Sequence, residues 1–587
     1  MFLFYRLYNE KKEAYLDYSI KIGGEAGQGI QTIGDTLSKV FSRSGYHVFT
    51  HQDYESRVRG GHNFYQIRFS DTPITASRTK IDIIVVLDKE SIALHEGELS
   101  EKGMIIYDSA SLKEKYERPN FLDVPFAGIA LDVGGDRIMA NTVATGAVLG
   151  MLGINIDIFN EVMKKTLSKK SEEIIKANEK AALAGRDYAK TNCISCDFSI
   201  APPALKKMLI GVNEAVGLGA IASGLKFYSA YPMTPSTGIM TYIAGKAKEY
   251  NIIVEQAEDE ISAINMALGA SFAGVRAMTG SSGGGFALMV EGLSLAAMTE
   301  TPIVIALAQR PAPATGLPTR TEQADLLFAL YSGHGEFPRV IFAPGTPEQA
   351  FYLTNRAFEI SQKYQIPVFI LTDQYLSDAQ WTYPDLDLDS LIYNDYRLRG
   401  NAFAALPEYK RHAITESGVS PLGVPGEAKH VIVTDSDEHD EEGHLIEDGE
   451  TRIQMVIKRL FQKLLYIRGE MMPPCLYGSE NPEIIITGWG STYGVMKDAV
   501  DILQKDKRIA MLHFSEVYPF SNEEAWLELM RKARLSICVE NNATGQFASL
   551  VRLETGYVFD AIVNRYDGRP FLTEELIGEL NAHIGRL

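Results

Sequence analysis

Continuous apolar runs of strand length, separated by helical stretches, most narrow what this chain can fold into. TPIVIALA, RVIFAPG and IPVFILTD alternate with helical segments between residues 204 and 394. A strand that is apolar throughout is covered on both faces, which happens in parallel sheets whose crossovers are helices. IDIIVVLD and GMIIYD, nearer the N-terminus, read the same way. The pattern predicts an α/β, multidomain chain. Its 587 residues exceed a single core and call for about three to four domains.

The breaks in this rhythm place the boundaries. A first α/β block covers residues 1–191, and the polar connection TNCISCDFSIAPPA follows it. A second block covers 204–394. Regularity is lost over 395–483, which carries GVSPLGVPG, the acidic run at 434–450 and a closing helical stretch, RIQMVIKRLFQKLL. The alternation returns over 484–587 with IIITGWGS, IAMLHF and SICVENN.

Charge and cysteine content exclude several classes. A net charge of −18 disfavours nucleic acid or an anionic membrane as partner. The four cysteines are too few for a disulfide scaffold and fit a reducing compartment. The apolar start MFLFYRLYNEKKE is too short for a signal sequence. The longest apolar stretch, Phe286 to Ala308, contains Glu291, Glu300 and Pro302 and reads as a buried helix and then a strand. A cytoplasmic location is expected.

Several motifs sit where chemistry is done in such folds. YPMTPST, Tyr231 to Thr237, places Thr234, Ser236 and Thr237 in a turn stiffened by two prolines, after a strand. It serves either as a ligand wall at the sheet's carboxyl edge or as a rigid turn with a helix cap. In EQAEDEISAINMALGASFAG, the residues Glu255, Glu258, Asp259 and Glu260 precede an Ala-rich helix. They either complement the macrodipole or include one buried acid/base. The Ser/Gly turn at Ser281–Gly285 offers backbone N–H groups to an anion or a packed ring, or is only a turn. In ALAQRPAPATGLPTRTEQADL, Arg310 leaves a strand end with Thr315 and Thr319 nearby, a set suited to holding a carboxylate.

Other motifs are more ambiguous. GGEAGQG, Gly23 to Gly29, lies between a strand and a helix and suits a phosphate, without the spacing that dinucleotides need. Arg59, Gly60 and Gly61 form either a ligand loop or a turn into an edge strand. Cys193 and Cys196 lack the two further ligands of a zinc site and read as a structural or incidental pair. His439 and His444, among carboxylates, fit no EF-hand spacing, and a solvated charged loop is expected.

In order and spacing, YPMTPST, AEDEISAINMALGAS, TGSSGGGF, RPAPATGLPTRTEQADL, EHDEEGH and TGWGSTYG resemble the 2-oxoacid:ferredoxin oxidoreductases. The resemblance is to the fused α subunit, in which a γ domain comes first, and it covers essentially the whole chain. It implies a γ-type α/β domain, a thiamine-diphosphate pyrimidine-binding-type domain and a transketolase C-terminal-type domain. The implied reaction is oxidative decarboxylation of a 2-oxoacid with coenzyme A, 2-oxoglutarate favoured, with electrons leaving to ferredoxin. The alternatives are a pyruvate or branched-chain oxoacid enzyme, a non-catalytic assembly subunit, and a nucleotide-binding dehydrogenase built on GGEAGQG.

The resemblance also implies site residues. Glu260, by its spacing to Gly269, matches the glutamate on the aminopyrimidine, and Thr234 the threonine beside the reacting centre. Arg310 and Thr319 match residues holding the oxoacid carboxylate. Tyr231, Pro232, Ser282 and Gly283 line the cofactor, and Gly24, Gly27 and Gly29 contribute to coenzyme A binding. The family's Ser-Gly-Pro-Gly turn is Ser282-Gly283-Gly284-Gly285 here, so a floppier loop is expected. The family's common Ile is Met233. No Gly-Asp-Gly with a following Asn-Asn occurs, and no four-cysteine set. Mg²⁺, a [4Fe–4S] cluster and the diphosphate contacts are therefore expected on a separate β subunit, in an (αβ)2 assembly. No metal site is expected in this chain.

Overall fold

A computed structural model describes residues 16–56, 60–193, 196, 198, 207–522 and 525–586. Arg59 lies outside them. The chain divides into two compact units, residues 1–209 with 381–385, and residues 210–380 with 386–587. Among the described residues no helix is long and apolar enough to cross a membrane.

The first unit is built on an eight-stranded sheet. Its strands are β1 (Asp17–Ala26), β2 (His47–Asp53), β3 (Gly60–Ser70), β4 (Ile81–Val86), β5 (Leu99–Tyr107), β6 (Phe121–Asp123) and β7 (Met208–Gly211). A late strand, Gln380–Tyr383, inserts between β2 and β7. β1 runs parallel to β4, and β4 to β5, as the apolar runs IDIIVVLD and GMIIYD of the latter two predict. β3 pairs antiparallel with both β1 and β2. It is therefore an interior strand and not the edge strand that its glycine start suggests.

Helices Ala140–Leu152 and Glu172–Asn192, which pack into this sheet's core, meet each other backbone to backbone. A Cβ on Gly146 would stand 2.0 Å from the Ala182 carbonyl oxygen, and one on Gly185 2.2 Å from that of Val143. Only glycine allows that contact. Cys193 and Cys196, past the second helix, are joined by a disulfide. The bond makes them a closed covalent pair, where the composition pointed to a reduced one.

The second unit carries a seven-stranded sheet in the order β20-β12-β13-β11-β10-β8-β9. Its parallel members are β8 (Leu225–Ala230), β9 (Ile253–Gln256), β10 (Arg276–Ser281), β11 (Ile303–Gln309), β12 (Val340–Phe342) and β13 (Pro367–Asp373). β11 and β13 are buried at every residue, so the apolar runs are doubly covered strands. After β12, Thr346 caps the next helix by accepting from the Gln349 N–H, with Pro347 at its first position.

With β14 as the inserted strand, a pair β15 (Arg397–Leu398) and β16 (Leu422–Gly423) follows. The terminal sheet has the order β17-β19-β18-β21-β22. It comprises β17 (Cys475–Gly478), β18 (Ile484–Trp489), β19 (Ile509–Phe514), β21 (Leu535–Glu540) and β22 (Ala561–Asn564), while β20 (Glu516–Tyr518) crosses to pair with β12. One hydrophobic core joins the two sheets of this unit. Ile305, Ile341 and Phe369 of one pack with Ile485, Leu512 and Phe514 of the other.

The acidic insertion is a solvated loop only in part: His444, Leu445 and residues 447–450 are exposed, but other residues are tied down. His439 is fully buried. Glu438 holds Arg452 and Arg459, and Lys410 pairs with Glu441 and Glu442. Among the described residues no three His, Cys, Asp or Glu side chains are grouped as metal ligands.

Candidate active site

Parallel α/β sheets bind ligands outside the carboxyl ends of their strands, where the winding reverses. In the second unit β8 sits between β9 and β10, so the chain runs outward to β9 and then crosses back to β10. The reversal falls between β8 and β10. The turn after β8, the crossover after β9 and the turn after β10 all open there.

Tyr231 to Thr237 follows β8. The Ser236 N–H and hydroxyl both donate to the Met233 carbonyl, at 3.0 and 2.9 Å, which folds the segment back on itself. Ser236 precedes helix Thr237–Tyr250 but makes no side-chain cap, because its hydroxyl is committed to Met233. Tyr231 is exposed, Pro232 and Thr234 are half-buried, and Pro235 is buried. Asn213 Nδ2 donates to the Pro235 carbonyl at 3.2 Å, and its Oδ1 is buried without a partner.

Glu260 opens helix Glu260–Phe272, whose cap is Asp259 accepting from the Ser262 N–H at 2.7 Å. Glu255 and Glu258 are exposed, Asp259 is half-buried, and Glu260 is only 3% exposed. Of the four acidic residues, one is thus buried and aimed inward. The Ser281 hydroxyl approaches its Oε1 at 3.4 Å, a long contact that leaves the carboxylate with hydrogen-bonding capacity.

The Ser/Gly turn is tighter than its composition suggests. Gly283 to Gly285 form the first turn of helix Gly283–Met298, with Ser282 as N-cap. A Cβ on Gly285 would lie 2.1 Å from Glu260 Oε1 and 2.2 Å from Ser281 Oγ. One on Gly283 would lie 2.4 Å from Asp325 Oδ2. At Gly284 the nearest heavy atom is the Ala314 carbonyl oxygen, 3.8 Å away. The expected floppy loop is a helical turn whose flanking glycines make room for two carboxylates. The Ser282 hydroxyl is buried without a partner.

Arg310 leaves the end of β11 half-buried, and its Nη1 donates to the Thr234 carbonyl at 2.8 Å. That bond joins the two stretches most distinctive in the sequence. Thr319 is half-buried further along the same loop, while Thr315 is exposed. At Gly316, φ is +54° and a Cβ would collide with the Pro311 carbonyl at 1.8 Å.

Two carboxylates were not foreseen. Burial pushes Asp325 up to about 6, with the Arg310 charge opposing, and its Oδ2 is buried without a partner. Burial likewise raises Asp373, at the end of β13, to about 6, against hydrogen bonds from Ser491 and the Leu376 N–H. Both stand as polar residues at strand or loop ends before a helix, in QADL and LTDQ, a position that reads equally as capping.

Gly24, Gly27 and Gly29 belong to the first unit. Gly24 lies within β1, so the turn is shorter than GGEAGQG suggests. Gly27 and Gly29 carry the left-handed φ values of +93° and +85°. The structure thus gathers Tyr231, Pro232, Thr234, Glu260, Ser282, Gly283 and Arg310 at one sheet edge, with Thr319 on the loop leaving it.

Comparison with known proteins follows the same division. Residues 218–458 match the family model described as pyruvate flavodoxin/ferredoxin oxidoreductase, thiamine diP-bdg. Residues 19–188 match that described as pyruvate ferredoxin/flavodoxin oxidoreductase. The 2-oxoacid:ferredoxin oxidoreductase subunit alpha of a Sulfolobus species is 31% identical, over 94% of this chain and 95% of its own. The 2-oxoglutarate oxidoreductase subunit KorA of Mycobacterium tuberculosis is 28% identical, over 97% and 92%. The solved 2-oxoglutarate:ferredoxin oxidoreductase of Magnetococcus marinus, with 2-oxoglutarate, coenzyme A and succinyl-CoA bound, is 30% identical with a TM-score of 0.89, over 98% of this chain and 100% of that one. With a relative above 30% identity along nearly its whole length, the chain belongs to the alpha subunits of the 2-oxoacid:ferredoxin oxidoreductases.

Proposed function

We propose that this subunit provides the pyrimidine-binding half of a thiamine diphosphate site in an enzyme that oxidatively decarboxylates 2-oxoglutarate with coenzyme A to an acyl-coenzyme A and CO2, passing electrons to ferredoxin. The observation that carries this reading is the buried Glu260 carboxylate, set beside a wall that Arg310 ties to Thr234. Its surroundings fit the group. The missing side chain at Gly285 lets Glu260 Oε1 and Ser281 Oγ sit against the helix start, and Asn213 Oδ1 and Ser282 Oγ stand buried without partners.

Glu260 holds a proton at the aminopyrimidine ring by a charge-assisted hydrogen bond, and burial strengthens that bond. Thiamine diphosphate, when bound, supplies the carbanion chemistry of the decarboxylation. Tyr231, Pro232, Ser282 and Gly283 shape the ring's seat. Arg310 and Thr319 bind the oxoacid carboxylate, and Thr234 orients its reacting end. Gly24, Gly27 and Gly29 contribute to the coenzyme A side, residues 1–191 forming the γ-type domain, 204–394 the pyrimidine-binding domain and 484–587 the transketolase C-terminal-type domain.

Diphosphate, Mg²⁺ and [4Fe–4S] binding fall to a β subunit in an (αβ)2 enzyme. 2-Oxoglutarate is favoured because the Mycobacterium relative and the Magnetococcus enzyme are named for it. The test is Glu260→Gln in the assembled complex, which should lower 2-oxoacid-dependent viologen reduction by about 10²–10⁴-fold. Near-normal turnover would sink the cofactor role. A complex that oxidises pyruvate or a branched-chain oxoacid and ignores 2-oxoglutarate would overturn the substrate.

A further inference from the structure

The C-terminal block grips the far end of the loop that carries Arg310 and Thr319. The grip centres on Gln323, which is fully buried. The Gln323 N–H donates to the Asn541 carbonyl at 2.7 Å, and the Asn541 N–H donates to Gln323 Oε1 at 3.0 Å. Gln323 Nε2 donates to the Trp489 carbonyl at 2.9 Å, and Asn542 Nδ2 donates to the Gln323 carbonyl at 3.1 Å. Gln546 brackets the next turn, donating to the Ala324 carbonyl at 2.7 Å and accepting from the Leu327 N–H at 3.0 Å. The Thr321 N–H reaches the Gly568 carbonyl at 3.2 Å. Beneath them, buried Glu540 accepts from the Asn542 side chain and from the Phe547 and Ala548 N–H groups, which fixes the clamp itself.

We propose that Gln323 is a positioning residue for oxoacid binding, through which the Glu540–Gln546 turn sets the pose of the Arg310–Thr319 loop. A loop held by Arg310 at its start and by Gln323 at its end has its middle fixed by both. Loosening the second anchor costs binding of the oxoacid before it costs chemistry. The inference rests on the assignment of Arg310 and Thr319 to the oxoacid carboxylate.

Gln323→Glu in the assembled holoenzyme separates positioning from folding. One carboxyl oxygen still accepts from the Asn541 N–H. The other must donate to the Trp489 carbonyl, which it does only when protonated. Glu322, Asp325, Asp373, His513 (bonded to the Gly490 carbonyl) and Glu540 are ionisable groups around the position, so wild type is measured at every pH in parallel. The expected result is an oxoacid KM about tenfold above wild type at high pH that falls back as pH is lowered, with kcat and the coenzyme A KM little changed. Gln546→Met, at the half-buried rim, should raise the oxoacid KM about threefold without pH dependence, and it serves if the first variant does not assemble. Arg310→Lys is the control. If it raises the oxoacid KM while Gln323→Glu and Gln546→Met change only the melting temperature or the active fraction, positioning is refuted. If Arg310→Lys leaves the oxoacid KM unchanged, the carboxylate assignment fails and takes this inference with it.

Discussion

Gly285 and Gly284 differ by one position and by what a methyl group meets there. At Gly285 a Cβ falls within 2.2 Å of both Glu260 and Ser281, whereas at Gly284 nothing lies closer than 3.8 Å. Gly285→Ala should therefore displace the Glu260 carboxylate, with activity lost and stability lowered by about 1–3 kcal/mol. Gly284→Ala should keep activity, and as a helical Gly→Ala change it should add up to about 1 kcal/mol. Turnover and thermal melting of the two variants check the pair, and equal behaviour would contradict the packing described. Asp325 offers a second residue-scale test, with a sign fixed by its raised value of about 6. A carboxyl whose folded pKa lies above its unfolded value of 3.8 binds protons more readily in the fold. Its ionisation thus costs stability progressively between about pH 4 and 6 and fully above that. Asp325→Asn should raise the melting temperature at pH 8 and lose that advantage near pH 4.

At the scale of elements, the insertion is secured by an unusual helix. Helix Gly449–Val456 runs through a π turn, Ile457–Gln462, into helix Lys463–Glu470. The i to i+5 bonding of a π turn brings residues five apart towards one face. Lys458 Nζ donates to Glu300 Oε1 at 2.6 Å, and Lys463 reaches Glu300 Oε2. His412 Nδ1 joins the same carboxylate at 3.0 Å as a neutral donor, burial having pushed it down to about 3. Burial alone would raise Glu300, but Lys458 and Lys463, with His412, outweigh it and hold the carboxyl well below 4.5. Two lysines share one carboxylate, and burial pushes Lys458 down to about 8. For Glu300 the folded pKa lies below the unfolded one. Its contribution is therefore complete above pH ~4.5 and lost as pH falls towards the folded value. Glu300→Gln leaves two buried ammonium groups unpaired and should cost about 3–5 kcal/mol at neutral pH. The gap between denaturant melts of wild type and variant should begin to close as pH falls below ~4.5, towards the lower folded value. A constant gap across that range would refute the ionic role.

At the scale of the whole molecule, the proposal divides the site between this chain and a partner. The sheet edge supplies a carboxylate, hydroxyls and a guanidinium, and the sequence has no Gly-Asp-Gly to hold a diphosphate through Mg²⁺. The purified chain alone should show no 2-oxoacid-dependent viologen reduction, and a partner carrying that motif and cluster cysteines should restore it. Turnover by the lone chain would overturn the division of labour.

What the sequence determined by itself was whatever depends on neighbours along the chain. Doubly apolar strands announced the parallel sheets, and the order of YPMTPST, Glu260 and Arg310 announced the family. What only the tertiary structure decided depends on groups brought together from afar. Which of four acidic residues is buried was settled by the space that Gly285 leaves. The acidic insertion became a pinned segment because distant Glu300 gathers Lys458, Lys463 and His412. Asp325 and Gln323 passed as loop residues until the fold set them against Arg310 and Asn541. Periodicity and turn chemistry act over a few residues and are written locally. Burial and charge pairing act through space, across separations such as the 218 residues between Gln323 and Asn541, and exist only once the chain is folded.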